Sequence, residues 1–352
     1  MATLKELSDR TGYSSATISR ILTGDPSLAV TPEARTRVLE EAGKLNYAAT
    51  KSRRGRSPKS LLRLGVAEML THDQRLEDPY YLYLRNFVEQ ACQENRFTFL
   101  PMERERDRYL PPEGEPLDGI VAIGIFDPDQ IEALHAISPK LVFLDSSPDE
   151  LRSDSVVLNY RIGIEQALNY LLELGHTDIA FVGPAWKLDD WKRPAPEKRR
   201  SLFLELMSGR GVEEPTLIEV PMDARKTALA VREFLAPDGL RPTALLCANE
   251  ENAIGASRAI REAGLRIPED ISLISFNDTP LSELIEPPLT SVSTHVRDMA
   301  YTAVRLVSER CALHDRPAMR TQPQKVIVPP TLVIRGSTAP PLGPLTKGAV
   351  TK

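Results

Sequence analysis

The feature that most constrains the fold of this chain is the alternation of strand-like and helix-like stretches after Leu61. The apolar runs of strand length span residues 61–69, 97–102, 118–124, 140–145, 155–159, 178–183, 216–221, 243–248 and 270–276. Amphipathic stretches of helical length lie between them. Strict alternation with short connections predicts parallel sheets covered by helices on both faces. This many strands divide better between two sheets than one, so we predict two doubly wound α/β lobes.

Residues 3–22, TLKELSDRTGYSSATISRIL, form two short amphipathic segments separated by Gly12. Ser14 is placed to cap the second segment, and Gly12 suits a turn that requires positive φ. Thr31 and Pro32 then begin a third helix as its N-cap and first residue. The pattern predicts an all-α helix-turn-helix head, whose second helix can enter the major groove of DNA. The alternative interpretation is an ordinary helical hairpin packed in a core.

The charge of the chain is divided unevenly. Residues 1–60 hold eleven Lys and Arg against six Asp and Glu, whereas the whole chain of 352 residues has a net charge of −5. A basic head on an acidic body is the pattern of a DNA-binding module attached to another domain. Residues 48–60 carry five basic and no acidic residues, with Gly55 and Pro58 as helix breakers. This stretch is either a contact to DNA phosphates or simply a soluble tether.

No catalytic or metal-binding motif stands out in the sequence. The chain contains no glycine-rich phosphate loop, no nucleophile elbow and no HExxH, and its five histidines offer no pair at helical spacing. His176 is expected to pack or cap rather than catalyse. The first residues carry no signal peptide and no membrane-spanning run follows, which predicts a cytoplasmic protein with reduced cysteines. We therefore expect neither an enzyme nor a cofactor, a metal or a membrane partner.

Polar residues directly follow several of the predicted strands. They are Asp145, Ser146, Asn159, Trp186, Trp191, Asn249, Glu250, Asn277 and Asp278. Ligands of doubly wound sheets bind outside the carboxyl ends of the strands, which is where these residues should lie. Carboxylates, amides and indoles suit a neutral polyol, so we predict a sugar site between the lobes. The structural alternative is that each of them serves only as a cap or turn residue.

Head, linker and body together resemble the LacI/GalR family of bacterial transcriptional repressors over residues 2–336. The segments that carry the resemblance are TLKELSDRTGYSSATISRIL, LGHTDIAFVGP, ALLCANEENAIGASRAIREAGLRIPEDISLISFND and EPPLTSV. Within the family, MATLKEL, GDPSLAV and DPYYLYLR are most similar to repressors of the evolved β-galactosidase type, which implies a galactoside effector. The resemblance implies a homodimer on a pseudo-palindromic operator. It also implies a periplasmic-binding-protein-like body in which a bound sugar changes DNA affinity allosterically.

The resemblance and the helix geometry together give the expected site residues. The expected DNA contacts are Thr3, Leu4, Ser14, Ser15, Ala16, Thr17, Ser19, Arg20, Tyr47, Lys51, Arg53 and Arg54. The expected effector contacts are Tyr80, Asp145, Asn159, Trp186, Arg199, Asn249 and Asn277. By the family pattern Ser15 and Ala16 read bases, with Arg20 next along the helix. Arg200 beside Arg199 leaves the register of the sugar-binding arginine open by one residue.

Two positions depart from the family pattern. Gly55 stands near the place of the leucine wedge that other members insert into the minor groove, and the next leucine is Leu61. Asn277 stands where many relatives have aspartate, which makes it a weaker, uncharged acceptor. The predicted domains are a head (1–47), a basic hinge (48–60), a two-lobed effector-binding and dimerisation body (61–336) and a disordered tail (337–352). The alternative functions are a cytoplasmic sugar-binding protein with a vestigial head and a sugar-modifying enzyme.

Overall fold

The computed structural model divides the chain into two units, Met1–Lys59 and Ser60–Lys352. It describes residues 4–22, 28, 30–44, 62–71, 74, 79–105, 108–111, 116–235, 241–312 and 317–342. Outside these ranges lie the predicted hinge, the tail from residue 343, and the expected DNA contacts Thr3, Tyr47, Lys51, Arg53 and Arg54. None of the described helices is both long enough and apolar enough to cross a lipid bilayer.

The first unit contains the three predicted helices, α1 (Leu4–Thr11), α2 (Ser15–Leu22) and α3 (Pro32–Lys44). Gly12 adopts a φ of +75° in the turn between α1 and α2, as expected. At the start of α3, the Thr31 hydroxyl accepts a hydrogen bond from the Ala34 N–H at 3.3 Å. The helices pack through a small core that consists of Leu7, Ile18, Ile21, Val38 and Ala42. The head therefore has the helix-turn-helix arrangement that its sequence predicts.

The second unit contains sheets and helices in alternation. Its strands are β1 (Arg63–Glu68), β2 (Thr98–Pro101), β3 (Glu103–Glu105), β4 (Arg108–Leu110), β5 (Gly119–Ile123), β6 (Leu141–Leu144), β7 (Asp154–Leu158), β8 (Ile179–Gly183), β9 (Trp186–Leu188), β10 (Pro194–Pro196), β11 (Thr216–Glu219), β12 (Ala244–Cys247), β13 (Ser272–Asn277), β14 (Thr290–Ser293), β15 (Lys325–Val328) and β16 (Thr331–Val333). Its helices are α4 (Pro79–Glu94), α5 (Pro128–Ile137), α6 (Tyr160–Glu173), α7 (Lys198–Ser208), α8 (Ala224–Phe234), α9 (Glu250–Glu262), α10 (Leu281–Leu284) and α11 (Val296–Arg310).

These elements form two lobes, each built on one six-stranded sheet. The first lobe has the strand order β15-β7-β6-β5-β1-β2, and the second has β11-β8-β12-β13-β14-β16. All described pairings within these sheets are parallel except β14 with β16. Every strand predicted from the sequence is present, and the predicted pair of doubly wound lobes is confirmed. The hairpins β3–β4 and β9–β10 and the strands β14 to β16 were missed, because segments of three or four residues are too short to show an apolar period.

The chain crosses from one lobe to the other three times. It leaves the first sheet after β7 and enters α6, which packs on the second sheet. It returns between β14 and α11, whose buried face packs against α4 in the first lobe. The short segment between β15 and β16 makes the third crossing. Three short connections of this kind join the two lobes, an arrangement typical of proteins whose lobes close around a ligand.

The predicted disordered tail starts at residue 337, but Ser337 and Ala339 are held by hydrogen bonds to the second lobe. Ser337 is fully buried, and its hydroxyl donates to the Leu273 carbonyl while it accepts from the Thr290 N–H at 2.8 Å. The His176 ring is 1% exposed, and its Nε2 donates to the Ala339 carbonyl at 2.9 Å. Burial lowers the pKa of His176, so the imidazole is neutral at physiological pH. His176 therefore packs, as expected, and it holds the start of the tail on the second lobe.

Candidate functional site

The outer surface of α2 carries the residues expected to contact DNA. At its N-terminus the Ser14 hydroxyl accepts from the Thr17 N–H at 3.2 Å and lies 2.8 Å from the Thr17 hydroxyl, which confirms the predicted cap. Ser15, Ala16 and Arg20 are exposed. The buried residues Ile18 and Ile21 lie on the opposite side, where they hold α2 against the head core. The helix thus presents small side chains and one arginine outward.

A cavity between the two lobes, here called the inner cavity, collects most of the expected sugar contacts. It is lined by Tyr80, Tyr81, Asp145, Tyr160, Lys187, Arg199, Met222, Asn249 and Asn277. Five of the predicted effector residues are therefore brought together, although they come from segments far apart in the chain. Most of them lie at the carboxyl ends of strands or just beyond, where doubly wound folds place their ligands.

Asp145 is the carboxylate that the first lobe contributes to the inner cavity. It follows β6 with a φ of +77°, in the left-handed region. The Tyr80 hydroxyl donates to one carboxylate oxygen at 3.1 Å, and the Tyr81 hydroxyl donates to the other at 2.8 Å. Burial, reinforced by the Asp145 charge, raises the pKa of Tyr80 well above its usual value of 10.0. Tyr80 thus stays protonated, and the two hydroxyl groups together fix the orientation of the Asp145 carboxylate.

Arg199 is the cation that the second lobe contributes, and it is only 4% exposed. Its Nε donates to a Glu197 carboxylate oxygen at 2.6 Å, and one terminal nitrogen donates to the Ala248 carbonyl at 2.5 Å. Burial alone would raise the pKa of Glu197, but the guanidinium outweighs it and lowers that pKa to about 2. Arg200 instead points outward and pairs with Glu219. The structure thus places Arg199, and not its neighbour, at the cavity.

Two amides complete the second-lobe side of the inner cavity. Asn249 is the N-cap of α9, where its side-chain oxygen accepts from the Asn252 N–H at 3.0 Å. The capping role and the cavity position therefore coexist in this residue. Asn277 ends β13 with a φ of +96°, and Asp278 follows with a φ of +55°. Left-handed conformations are unfavourable for residues with a Cβ atom, so they persist only when the surroundings hold them.

An ion pair of Asp278 and a set of hydrogen bonds to Glu250 hold the turn after Asn277. The Asp278 carboxylate accepts from Arg335 at 2.6 Å. The buried Glu250 carboxylate accepts from the Thr279 N–H at 2.8 Å and from the Ser282 hydroxyl at 2.7 Å. Burial raises the pKa of Glu250. These contacts position Asn277 without touching the inner cavity themselves, and sequence reasoning did not assign them that role.

Two expected effector residues do not line the inner cavity, although Asn159 lines a larger space beside it together with Asp145 and Tyr160. The Asn159 side chain caps α6 by accepting a hydrogen bond from the Ile162 N–H at 3.3 Å. It lies at the first of the three connections between the lobes. Trp186 is 65% exposed and does not line the inner cavity. Its neighbour Lys187 lines the cavity instead, because successive side chains of a strand point to opposite faces. The sequence prediction placed Trp186 in a loop after β8, whereas the structure places it in the short strand β9 with its side chain exposed.

Four residues of the inner cavity were missed from the sequence: Tyr81, Tyr160, Lys187 and Met222. Tyr81 was within reach, because it stands beside the predicted Tyr80. Tyr160 directly follows Asn159 after a predicted strand, so the same rule that selected Asn159 could have included it. Met222 has no such signal. No cluster of three or more His, Cys, Asp or Glu side chains that could hold a metal occurs in the described ranges.

The β9–β10 hairpin reaches from the second lobe to the first. At its tip, Lys192 donates to the Gln130 side-chain oxygen, and its ammonium lies 3.8 Å from the Asp127 carboxylate. The ammonium also lies 6.0 Å from the centre of the Phe126 ring. Gln130 is fully buried and Asp127 caps α5, so Lys192 binds a rigid part of the first lobe. Lys192 therefore joins the two lobes directly, through a hydrogen bond to Gln130 and an ion pair with Asp127.

Comparison with known proteins gives the same architecture. A family model described as a periplasmic binding protein-like domain matches residues 168–338. The HTH-type transcriptional repressor MelR of Bacillus subtilis (strain 168) is 30% identical over 346 residues, which cover 96% of this chain and 97% of the relative. The HTH-type transcriptional regulator GalR of Streptococcus thermophilus is 29% identical over 88% of this chain and 93% of its own length.

A solved structure supports the fold independently. A complex of the transcriptional regulator CelR with cellobiose superposes with a TM-score of 0.62 at 22% identity, covering 96% of this chain and all of that one. The full-length match to MelR includes both the head and the body. With a helix-turn-helix unit, a two-lobed body and relatives of this kind, the chain belongs to the LacI/GalR family of helix-turn-helix transcriptional regulators.

Proposed function

We propose that this regulator is a homodimeric, operator-binding repressor of a carbohydrate-utilisation operon, and that a small neutral sugar bound between the two lobes controls its affinity for DNA. The observation that carries the proposal is the convergence of Asp145, Arg199, Asn249 and Asn277 on one interlobe cavity. A galactoside, which the resemblance to repressors of the evolved β-galactosidase type implies, is the first candidate. A regulator of transcription acts where the chromosome is, so the proposal includes a cytoplasmic location.

The chemistry of the inner cavity favours an uncharged polyol. Asp145 accepts hydrogen bonds, Arg199 donates them, and the two amides can do both. Asp145 and Glu197 together balance the positive charges of Arg199 and Lys187, which leaves no net charge to attract an ionic ligand. Tyr160 supplies an aromatic face for the apolar side of a sugar ring. As proposed, the protein binds the sugar without changing it covalently.

Sugar binding controls DNA affinity only if the ligand binds two conformations of the body unequally. The cavity is built from both lobes, so a ligand that contacts Asp145 and Arg199 together favours the conformation in which they are close. The three crossings allow such closure without unfolding either sheet. In a dimer, a change in lobe orientation would alter the spacing of the two heads and hence their fit to half-sites about one helical turn apart.

Operator binding is tested with the purified full-length protein and the DNA upstream of its own operon. We expect a mobility shift that weakens steeply as salt rises, because phosphate contacts release counterions, and that is altered by an effector sugar. The control is DNA of equal length and composition with scrambled half-sites. Equal binding to both DNAs, or an absence of binding to the upstream DNA, would contradict the proposal and favour a sugar-binding protein with a vestigial head.

The interlobe bond at the tip of the β9–β10 hairpin gives a prediction about closure. Lys192→Met removes the ammonium that contacts Gln130 and Asp127, so the closed body loses roughly 0.5–1.5 kcal/mol. We expect sugar affinity to fall about threefold to tenfold, measured by isothermal titration calorimetry. Arg193→Met is the matched control, because Arg193 is exposed and, among the described residues, its guanidinium pairs with Asp189 of its own hairpin. Equal effects of the two substitutions would show that Lys192 does not stabilise closure.

A further inference from the structure

The second crossing between the lobes consists of Thr294 and His295. They join β14, which ends at Ser293, to α11, which begins at Val296. Thr294 is buried and fixed to the second lobe, because its hydroxyl donates to the Asn277 carbonyl at 3.2 Å. α11 packs in the core of the first lobe, and its contact with that core begins at Val296. His295 therefore lies between a residue fixed to one lobe and a helix fixed to the other.

The backbone of His295 is in the left-handed region, with φ +50° and ψ +47°. This conformation is unfavourable for a residue with a Cβ atom, and it persists only when the surroundings hold it. His295 is also the N-cap of α11, a position that typically has extended backbone angles. Its imidazole Nε2 lies within hydrogen-bond distance, 2.9 Å, of the Thr331 hydroxyl in β16. The ordinary N-cap conformation is therefore an alternative for His295, and the contact with Thr331 favours the left-handed one.

The other two crossings are more restricted. At the first, Asn159 has an ordinary φ of −84°, caps α6 with its side chain and donates its N–H to the Val328 carbonyl at 3.0 Å. The third consists of Pro329 and Pro330, whose rings fix their φ angles. The Pro330 carbonyl also accepts from the Gln166 side chain at 3.3 Å. A change in lobe orientation therefore requires its largest backbone rotation at the second crossing.

The second crossing is directly connected to the inner cavity. Asn277 lines that cavity, and its carbonyl is the group that holds Thr294. Asn277 itself has a φ of +96°, so its own conformation also depends on its surroundings. A ligand that displaces or holds Asn277 therefore acts on the residue next to His295 through one hydrogen bond.

We propose that His295 is a two-state hinge between the lobes. It is left-handed in the conformation in which Lys192 joins the lobes, and it takes the extended conformation of an ordinary N-cap when the lobes separate. Hinges of this kind are single residues at the ends of elements that absorb a large change in φ and ψ. The hinge deepens the proposed function, because lobe movement is the step through which a bound sugar would alter DNA affinity.

Lobe separation can be followed on the full-length protein with a thiol introduced by Ile125→Cys. Ile125 belongs to the first lobe, is 5% exposed and lines a space of about 130 Å³ beneath the β9–β10 hairpin of the second lobe. The thiol should react with iodoacetamide when the lobes separate, at a rate proportional to the open fraction. Cys247 is fully buried in the core of the second lobe, so its labelling reports unfolding instead. Mass spectrometry of the digested protein measures both thiols in one sample.

The decisive comparison is His295→Ala with His295→Gly in this background. Both variants lack the imidazole, and they differ in the cost of the left-handed conformation, which is high for alanine and absent for glycine. We expect the introduced thiol to be labelled roughly fivefold to thirtyfold faster in His295→Ala than in His295→Gly. Thr331→Val, which removes the hydroxyl beside the imidazole, should speed labelling roughly twofold to tenfold over the parent.

The matched control is the pair Arg96→Ala and Arg96→Gly, because Arg96 is also left-handed, with φ +59°, but lies within the first lobe. These two variants should label the introduced thiol at equal rates. Equal labelling of the two His295 variants would overturn the proposal, since His295 would then keep its conformation when the lobes move. Labelling of the introduced thiol only together with Cys247 would also overturn it, because the lobes would not separate without unfolding. The test uses neither sugar nor DNA, so these failures leave the proposed function to be judged by its own mobility-shift experiment.

Discussion

Arg199→Met is expected to abolish sugar binding and to destabilise the body by about 3–5 kcal/mol. The substitution keeps most of the side-chain volume but removes the guanidinium that contacts Glu197 and the Ala248 carbonyl. The Glu197 side chain is 1% exposed, so it would be left as a buried carboxylate without its cation. Chemical denaturation measures the loss of stability, and calorimetric titration measures the loss of binding.

The matched control is Arg200→Met, one residue along the same helix. Arg200 pairs with Glu219 near the surface, and a pair of this kind contributes about 0–1 kcal/mol. The double variant Glu197→Gln/Arg199→Met separates stability from binding. It should regain much of the lost stability, because no buried charge remains, but it should not bind sugar. If Arg199→Met bound sugar normally and Arg200→Met did not, the assignment of the arginine would be wrong.

The same ion pair predicts a pH dependence of stability. Arg199 lowers the pKa of Glu197 to about 2 from its usual 4.5. A carboxylate with a lowered pKa stabilises the folded state fully above its usual pKa, and this contribution is lost as the pH falls towards the lowered value. The body should therefore lose this contribution between about pH 4.5 and about pH 2. In the double variant this part of the acid sensitivity should be absent.

Arg20→Ala is expected to weaken operator binding by about 1–3 kcal/mol, or roughly fivefold to 150-fold. Ser15 and Ala16 are small, so they offer few hydrogen bonds to base edges. Arg20 is the long, charged side chain on the exposed side of α2. Specificity beyond Arg20 would then depend on half-site spacing and on the shape of the DNA. Fluorescence anisotropy with operator and scrambled DNA measures both affinity and discrimination.

Arg10→Ala is the control for this substitution, because it removes the same charge from the same unit. Arg10 lies on α1 and its guanidinium is 3.8 Å from the Glu41 carboxylate. Losing it should weaken binding to operator and scrambled DNA alike, as a purely electrostatic effect does. If Arg20→Ala also weakened both DNAs equally, Arg20 would be a phosphate contact and not a base contact.

Much of the inner cavity could be predicted from the sequence, for two different reasons. Asp145, Asn249 and Asn277 follow predicted strands, and parallel strands bring their carboxyl ends to one edge of a sheet. Arg199 does not follow a strand directly, and only the resemblance to the family identified it. The sequence left open whether Arg199 or Arg200 lies at the cavity. The structure shows Arg199 paired with the buried Glu197 and Arg200 paired with Glu219 nearer the surface.

The sequence by itself determined the local features of this protein. The Ser14 and Thr31 caps, the Gly12 turn and the alternation of strands and helices depend on neighbouring residues, and the structure shows all of them. The tertiary structure decided which side chains meet. Trp186 points to solvent and Lys187 to the cavity because they lie next to each other in β9, a strand of three residues that is too short for an apolar period to specify its register. Burial of Arg199 and the interlobe bond of Lys192 depend on segments tens of residues away, so no local pattern could encode them.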